Sequence, residues 1–181
     1  DGYVRLTFSA DELATDGVKG TFDKNNAKDK QRVVDVKVGT SYADPDVTAA
    51  INGINKPQAI DTTLNKVFEK WNPETSTLTG NAVLNDDKEF NAVYTDKYTS
   101  KDIIPFLPGE NVPTKDEDGK EIPSDYIVAT FQAEKDASDT ALGTVTVGTK
   151  TGEVVLAKVK PGTDLSQHFK TKTQTTAKTP E

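Results

Sequence analysis

Apolar and polar side chains alternate from Tyr3 to Ser9, with Val4, Leu6 and Phe8 on one face and Tyr3, Arg5 and Thr7 on the other. A period of two in β-branched and aromatic residues predicts a half-buried strand, its inward side being the Val4, Leu6, Phe8 set. Polar residues 11–17 read as a loop, and Gly20-Thr21-Phe22 as the opening of a short strand. Residues 23–30 have no apolar periodicity and predict a solvated hairpin tip. Residues 31–38, rich in valine, predict the second strand. Asp44-Pro45 offers an N-cap followed by proline at the first helical position, where a missing N–H costs nothing. Val47, Ala50 and Ile51 then share a face, and Asn52-Gly53 stops the turn. Residues 66–72, carrying Phe68 and Trp71, predict a third strand. Residues 89–95, with Phe90, Ala92 and Tyr94 on one side, predict a fourth.

Strand, strand, helix, strand, strand is the order of a β-grasp-like module, an α+β arrangement with one helix on one sheet face. Because the helix is barely two turns long, a small all-β sandwich is the alternative. In both, Phe8, Phe68, Trp71 and Tyr94 are the expected core aromatics.

The chain resembles itself. An ungapped offset of 123 residues carries Tyr3 onto Tyr126, Thr7-Phe8 onto Thr130-Phe131, Gly20-Thr21 onto Gly143-Thr144, and Val36-Lys37 onto Val159-Lys160. It also carries Gly39-Thr40 onto Gly162-Thr163, giving 12 identities over the 38 positions from Tyr3 to Thr40. Ordinary residue usage would give roughly 2 or 3. A tandem repeat is therefore expected. Residues 1–96 form one complete module in this reading, and residues 126–181 a partial second copy that lacks two strands and cannot bury a full core. Residues 97–125 carry Pro105, Pro108, Pro113, Pro123 and an acidic run, and read as a semi-rigid spacer. Within it, residues 103–107 are too apolar to hang in water, and are expected to dock on the end of the first module. Threonine- and lysine-rich residues 170–181 read as a frayed tail.

Composition narrows the function. With 29 acidic and 22 basic side chains, a net charge of −7 and no basic cluster, the chain lacks the footprint of a nucleic-acid binder. No apolar run approaches the roughly 20 residues of a membrane-spanning helix, so no membrane insertion is expected. The absence of cysteine rules out disulfides, thiolate nucleophiles and Cys-ligated metal. The first residue is Asp1 and methionine is absent, which reads as a processed or excised fragment.

Taken in order, Tyr3–Phe8, Phe68–Trp71, Ala92–Thr95, Asp102–Pro105 and Tyr126–Phe131 resemble the tandem extracellular repeats of Gram-positive cell-wall-anchored surface proteins, of the Listeria–Bacteroides or internalin B-repeat type. That resemblance implies a β-grasp-like module, an extracellular location at the bacterial cell surface, and a role in adhesion or as a stalk. The chain departs from it in the longer loops of its first module. Leu107-Pro108-Gly109-Glu110 lacks the threonine, apolar segment and basic tail of a sortase signal, so an anchor is expected outside these residues.

Little chemistry accompanies this organisation. His168 is the one histidine, with Asp164 nearby in sequence, but nothing marks a nucleophile for a triad. It reads as a surface residue. Asp116, Asp118 and Glu121 offer oxygen ligands in a loop and form a weak calcium candidate without EF-hand spacing; solvated charge is the plainer reading. An intramolecular Lys–Asn isopeptide bond, of the kind found in such wall proteins, has Lys37 with Asn91 as its one pair worth inspecting. No phosphate-binding loop follows a strand. No cofactor and no catalysis are expected. The leading expectation is a non-catalytic repeat whose partners are neighbouring repeats. The alternatives are an adhesin module for a host matrix protein or glycan, with residues 23–30 or a free strand edge as contacts, and an accessory domain of a secreted wall- or carbohydrate-active enzyme.

Overall fold

The computed structural model describes residues 2–80 and 83–173. Strand accounts for 41% and helix for 11%, in several small sheets of which none is closed, so the chain is mostly β. It divides into two compact units, Asp1–Lys97 and Tyr98–Glu181.

The first unit contains β1 (Tyr3–Ser9), β2 (Gly20–Thr21), β3 (Gln31–Lys37), α1 (Pro45–Asn52), β4 (Gln58–Ala59), β5 (Lys66–Asn72) and β6 (Lys88–Asp96). Its main sheet has the order β3-β1-β6-β5. The central pair β1 and β6 is parallel, and the flanking pairs are antiparallel. β2 and β4 form a separate two-stranded ladder. The α1 N-terminus forms as its sequence predicts: the Asp44 carboxylate accepts from the N–H groups of Asp46 and Val47, and Pro45 takes the first helical position. Val47 and Ile51, one turn apart, are buried, whereas Ala50 is exposed.

The alternation in β1 sends Val4, Leu6 and Phe8 into a core with Val36, Val47, Ile51 and Phe90, closed by Phe22, Leu78 and Leu84 from outside the sheet. Phe8 stacks on Phe90 with ring centroids 4.8 Å apart, and Trp71 meets Phe8 edge-on at 5.2 Å. Of the expected core aromatics, Phe8 and Tyr94 are buried, but Phe68 and Trp71 are only half-buried. The reason is position, since β5 is an edge strand. A register shift between Phe68 and Lys70 also allows two residues at odd spacing to share a face, and their rings lie 4.9 Å apart.

The second unit contains β7 (Ile103–Phe106), β8 (Ile127–Gln132), β9 (Gly143–Val147), β10 (Lys150–Gly152), β11 (Val154–Val159) and β12 (Phe169–Thr173). Two three-stranded antiparallel sheets, β7-β11-β8 and β10-β9-β12, share a core of Phe131, Val145, Val147, Val155, Ala157 and Val159. Three expectations change here. Residues 97–125 are not a spacer throughout, because Ile103–Phe106 pairs with β11 from Leu156↔Phe106 to Val159↔Ile103. The same pairing places residues 103–106 in a sheet of the second unit, in place of the expected docking on the first. The second copy is not short of a core either: β7 and β12 supply strands that the repeat comparison could not reveal. Within β12, residues 170–173 are therefore strand where a frayed tail was expected, and residues 174–181 lie outside the described residues.

The repeat is visible in the backbone. Val4↔Val36 through Ser9↔Gln31 in β1/β3 becomes, at the same offset, Ile127↔Val159 through Gln132↔Val154 in β8/β11. Ala10 N–H donates to the Lys30 carbonyl at 2.8 Å, and Ala133 N–H to that of Glu153 at 2.8 Å. Gly39 and Gly162 take positive φ values of 82° and 85° in matching turns. Beyond this shared hairpin the two units build different sheets.

Candidate functional site

The acidic loop is a self-satisfied turn. Asp116 is buried, and its Oδ1 accepts from the N–H groups of Asp118 at 3.0 Å and Lys120 at 2.8 Å. Burial raises the Asp116 pKa, but bonds from the Thr99 hydroxyl and those two N–H groups outweigh it and hold the carboxyl below its ordinary range. Asp118 and Glu117 pair instead with the ammonium of Lys101. Glu121 contributes its backbone, its carbonyl accepting from Thr99 N–H at 2.9 Å. The structure thus does not converge Asp116, Asp118 and Glu121 on one point, and among the described residues no cluster of three or more such groups could hold a metal.

Lys37 and Asn91 do not meet. β1 lies between their strands, with Lys37 opposite Tyr3 at one end and Asn91 opposite Ser9 at the other. Six residues of strand at about 3.3 Å each separate the two levels, so no bond joins them. His168 follows a short 3-10 turn, Leu165–Gln167, and its N–H donates to the Leu165 carbonyl. Asp164 caps that turn: its Oδ1 accepts from Ser166 N–H at 3.0 Å and from the Ser166 hydroxyl at 2.7 Å. These bonds lower the Asp164 pKa, and they commit both carboxylate and hydroxyl to capping.

Two surface features were not singled out from sequence. The first is a groove of about 730 Å³ in the second unit, with Ile104, Pro105, Phe106 and Pro113 among its lining residues. Its rim charges are already matched, Lys150 with Glu110 and Lys101 with Glu117, so the groove shows no excess of either sign for a charged ligand. The second is the outer edge of β8. In the first unit the same edge of the hairpin, on β1, is covered by β6; among the described residues no strand pairs with that edge of β8. Val4 is 3% exposed, while its counterpart Ile127 is 60% exposed.

At residues 23–30 the expected tip is exposed and internally braced. The Thr21 hydroxyl bonds to the Asp23 and Asn26 carbonyls, and Arg32 pairs with Asp29 while lying 4.4 Å over the Phe22 ring.

Comparison with protein-family models, with curated proteins and with solved structures found no match. Among the described residues no helix is long and apolar enough to cross a membrane.

Proposed function

We propose that this chain is a non-catalytic repeat region of a bacterial cell-surface protein, akin to the internalin B-repeat type, and that it works as an extracellular spacer under tension. The observation that carries this reading is the parallel contact of β1 with β6, from Leu6↔Lys88 to Ser9↔Asn91. β1 opens the first unit and β6 closes it. A pull on the two ends of that unit draws neighbouring parallel strands in opposite directions along their axes. Their hydrogen bonds are then loaded together in shear, and none can part singly. This geometry suits a spacer under load.

The strand order β3-β1-β6-β5 with a parallel central pair, and a helix in the connection from β3 towards β5, supports a β-grasp-type first module. The matched hairpin register of the two units supports the tandem repeat, since length is gained by copying a unit.

A second reading, adhesion to a host matrix protein or glycan, is favoured by the uncovered β8 edge. Surface plasmon resonance of the full chain over immobilised matrix proteins and glycans divides the two. No response at high micromolar concentration leaves the spacer; saturable binding establishes the adhesin.

A further inference from the structure

The two hairpins are complementary in what covers them. In the first unit, β6 pairs with the outer edge of β1, and β3 is the sheet's edge strand. In the second, β7 pairs with the outer edge of β11, and β8 is the edge strand. Each copy therefore displays a strand that its counterpart position in the other copy lacks.

Sheet edges are usually protected by charge, proline or shortness. β3 carries Arg32, Asp35 and Lys37, and β5 carries Lys66, Glu69 and Lys70; β7 has Pro105, β10 has Lys150, and β12 has Lys170 and Lys172. β8 reads Ile127-Val-Ala-Thr-Phe-Gln132, six residues without a charge or a proline. Among the described residues it is the one unguarded edge of these three larger sheets. Its exposed side chains Ile127 and Val128 are 60% and 48% accessible.

From this we infer that the outer edge of β8 is a strand-acceptor site. Its occupant is an extended segment of the Lys88–Asp96 pattern, belonging to a further copy of the repeat and running parallel to β8. The register follows from the first unit. Leu6↔Lys88, Thr7↔Glu89, Phe8↔Phe90 and Ser9↔Asn91 transpose to Ala129, Thr130, Phe131 and Gln132 as the receiving residues. The incoming strand brings apolar residues at alternate positions, as Phe90, Ala92 and Tyr94 do in β6, and pairs with the free edge over Ala129–Gln132. Backbone hydrogen bonds supply affinity and the alternation supplies register. The inference rests on the tandem-repeat part of the proposed function and on none of its mechanical part.

The test titrates the isotopically labelled full chain with a synthetic peptide of residues 88–96, beside a scrambled peptide, and reads amide shifts and hydrogen exchange. The expected result is saturable shift changes and new protection at residues 129–132 with the native-order peptide alone. Thr130→Lys, which puts an edge-guarding charge on an already exposed position among the receiving residues, removes that response without altering the thermal midpoint. Three results would each overturn the inference: no change at residues 129–132 at high micromolar peptide, equal response to the scrambled peptide, or response confined to β1 through strand exchange. The spacer role can survive any of these, because it is read by force and by surface binding.

Discussion

Gly20 packs so closely against the hydroxyl of Tyr94 that a Cβ at position 20 would overlap both that hydroxyl and the Ala10 carbonyl. The same hydroxyl donates to the Ala10 carbonyl at 2.7 Å, in a buried bond spanning 84 residues of sequence. One contact thus ties the end of β1 to β6 and leaves no room for a side chain at position 20 of β2. Gly20→Ala is expected to destabilise the first unit by about 1–3 kcal/mol through overpacking. Tyr94→Phe should cost about 1–3 kcal/mol by leaving a buried carbonyl unsatisfied. In the double variant the overlap is partly relieved, so urea unfolding should give a combined loss smaller than the sum of the two. Strict additivity would contradict the contact.

Tyr94 also makes an alkaline prediction. Burial, followed by the nearby carboxylates of Asp11 and Glu12, raises its phenol pKa above the ordinary value near 10. A folded-state pKa above the unfolded one gives stability that is complete below the unfolded value and is lost as pH climbs through the folded one. The Tyr94 phenolate absorbance should therefore rise together with the change in Trp71 fluorescence on unfolding. Full ionisation of all five tyrosines with native fluorescence retained would contradict it.

On the acid side, Asp11 works in the opposite sense. Burial raises its pKa, but the Lys30 ammonium at 2.8 Å and the Gly20 N–H at 2.9 Å lower it further, and the net shift is downward. Its stabilising share is therefore present above the unfolded carboxyl value and disappears as pH falls through the lower folded one. Lys30→Met should cost about 1 kcal/mol at neutral pH, since the pair is partly exposed, and should flatten the acid limb below about pH 4. An unchanged acid limb would remove the ion pair from the account.

Separate cores predict separable stability. Phe131→Ala should lower the unfolding free energy of the second unit by about 3–5 kcal/mol and leave the first transition in calorimetry unmoved. Phe8→Ala should do the reverse. A single transition shifted by both substitutions would contradict two units.

Much of the first unit was legible because its signals are local. β1 falls where alternation placed it, β5 spans the residues expected of the third strand, and Asp44-Pro45 begins α1 as its capping chemistry requires. The repeat offset carried structural information, since the pairing register of β1/β3 recurs in β8/β11 at that same offset. β7 was missed because Pro105 and Pro108 read as breakers. Proline is tolerated on an edge strand, and the pairing that defines β7 lies about fifty residues away in β11. β12 was hidden by polar composition: its threonines and lysines suit an edge strand beside β9, and nothing in the segment alone announces a partner. Phe68 and Trp71 were placed too deep because a one-dimensional pattern shows neither the register shift nor that β5 ends the sheet. Asp116, Asp118 and Glu121 lie together in sequence, yet backbone turns and Lys101 claim their oxygens separately.

Pulling the full chain by its ends, one molecule at a time, tests the spacer account most directly. In the second unit the first and last strands, β7 and β12, lie in different sheets and share no ladder, so no single ladder is sheared directly between them. Two ruptures are predicted: a weaker one releasing about 25 nm for the second unit, then a stronger one releasing about 30 nm for the first, at roughly 3.5 Å per residue. A first unit that yields at the lower force, or a chain that extends without a distinct peak, would contradict the account.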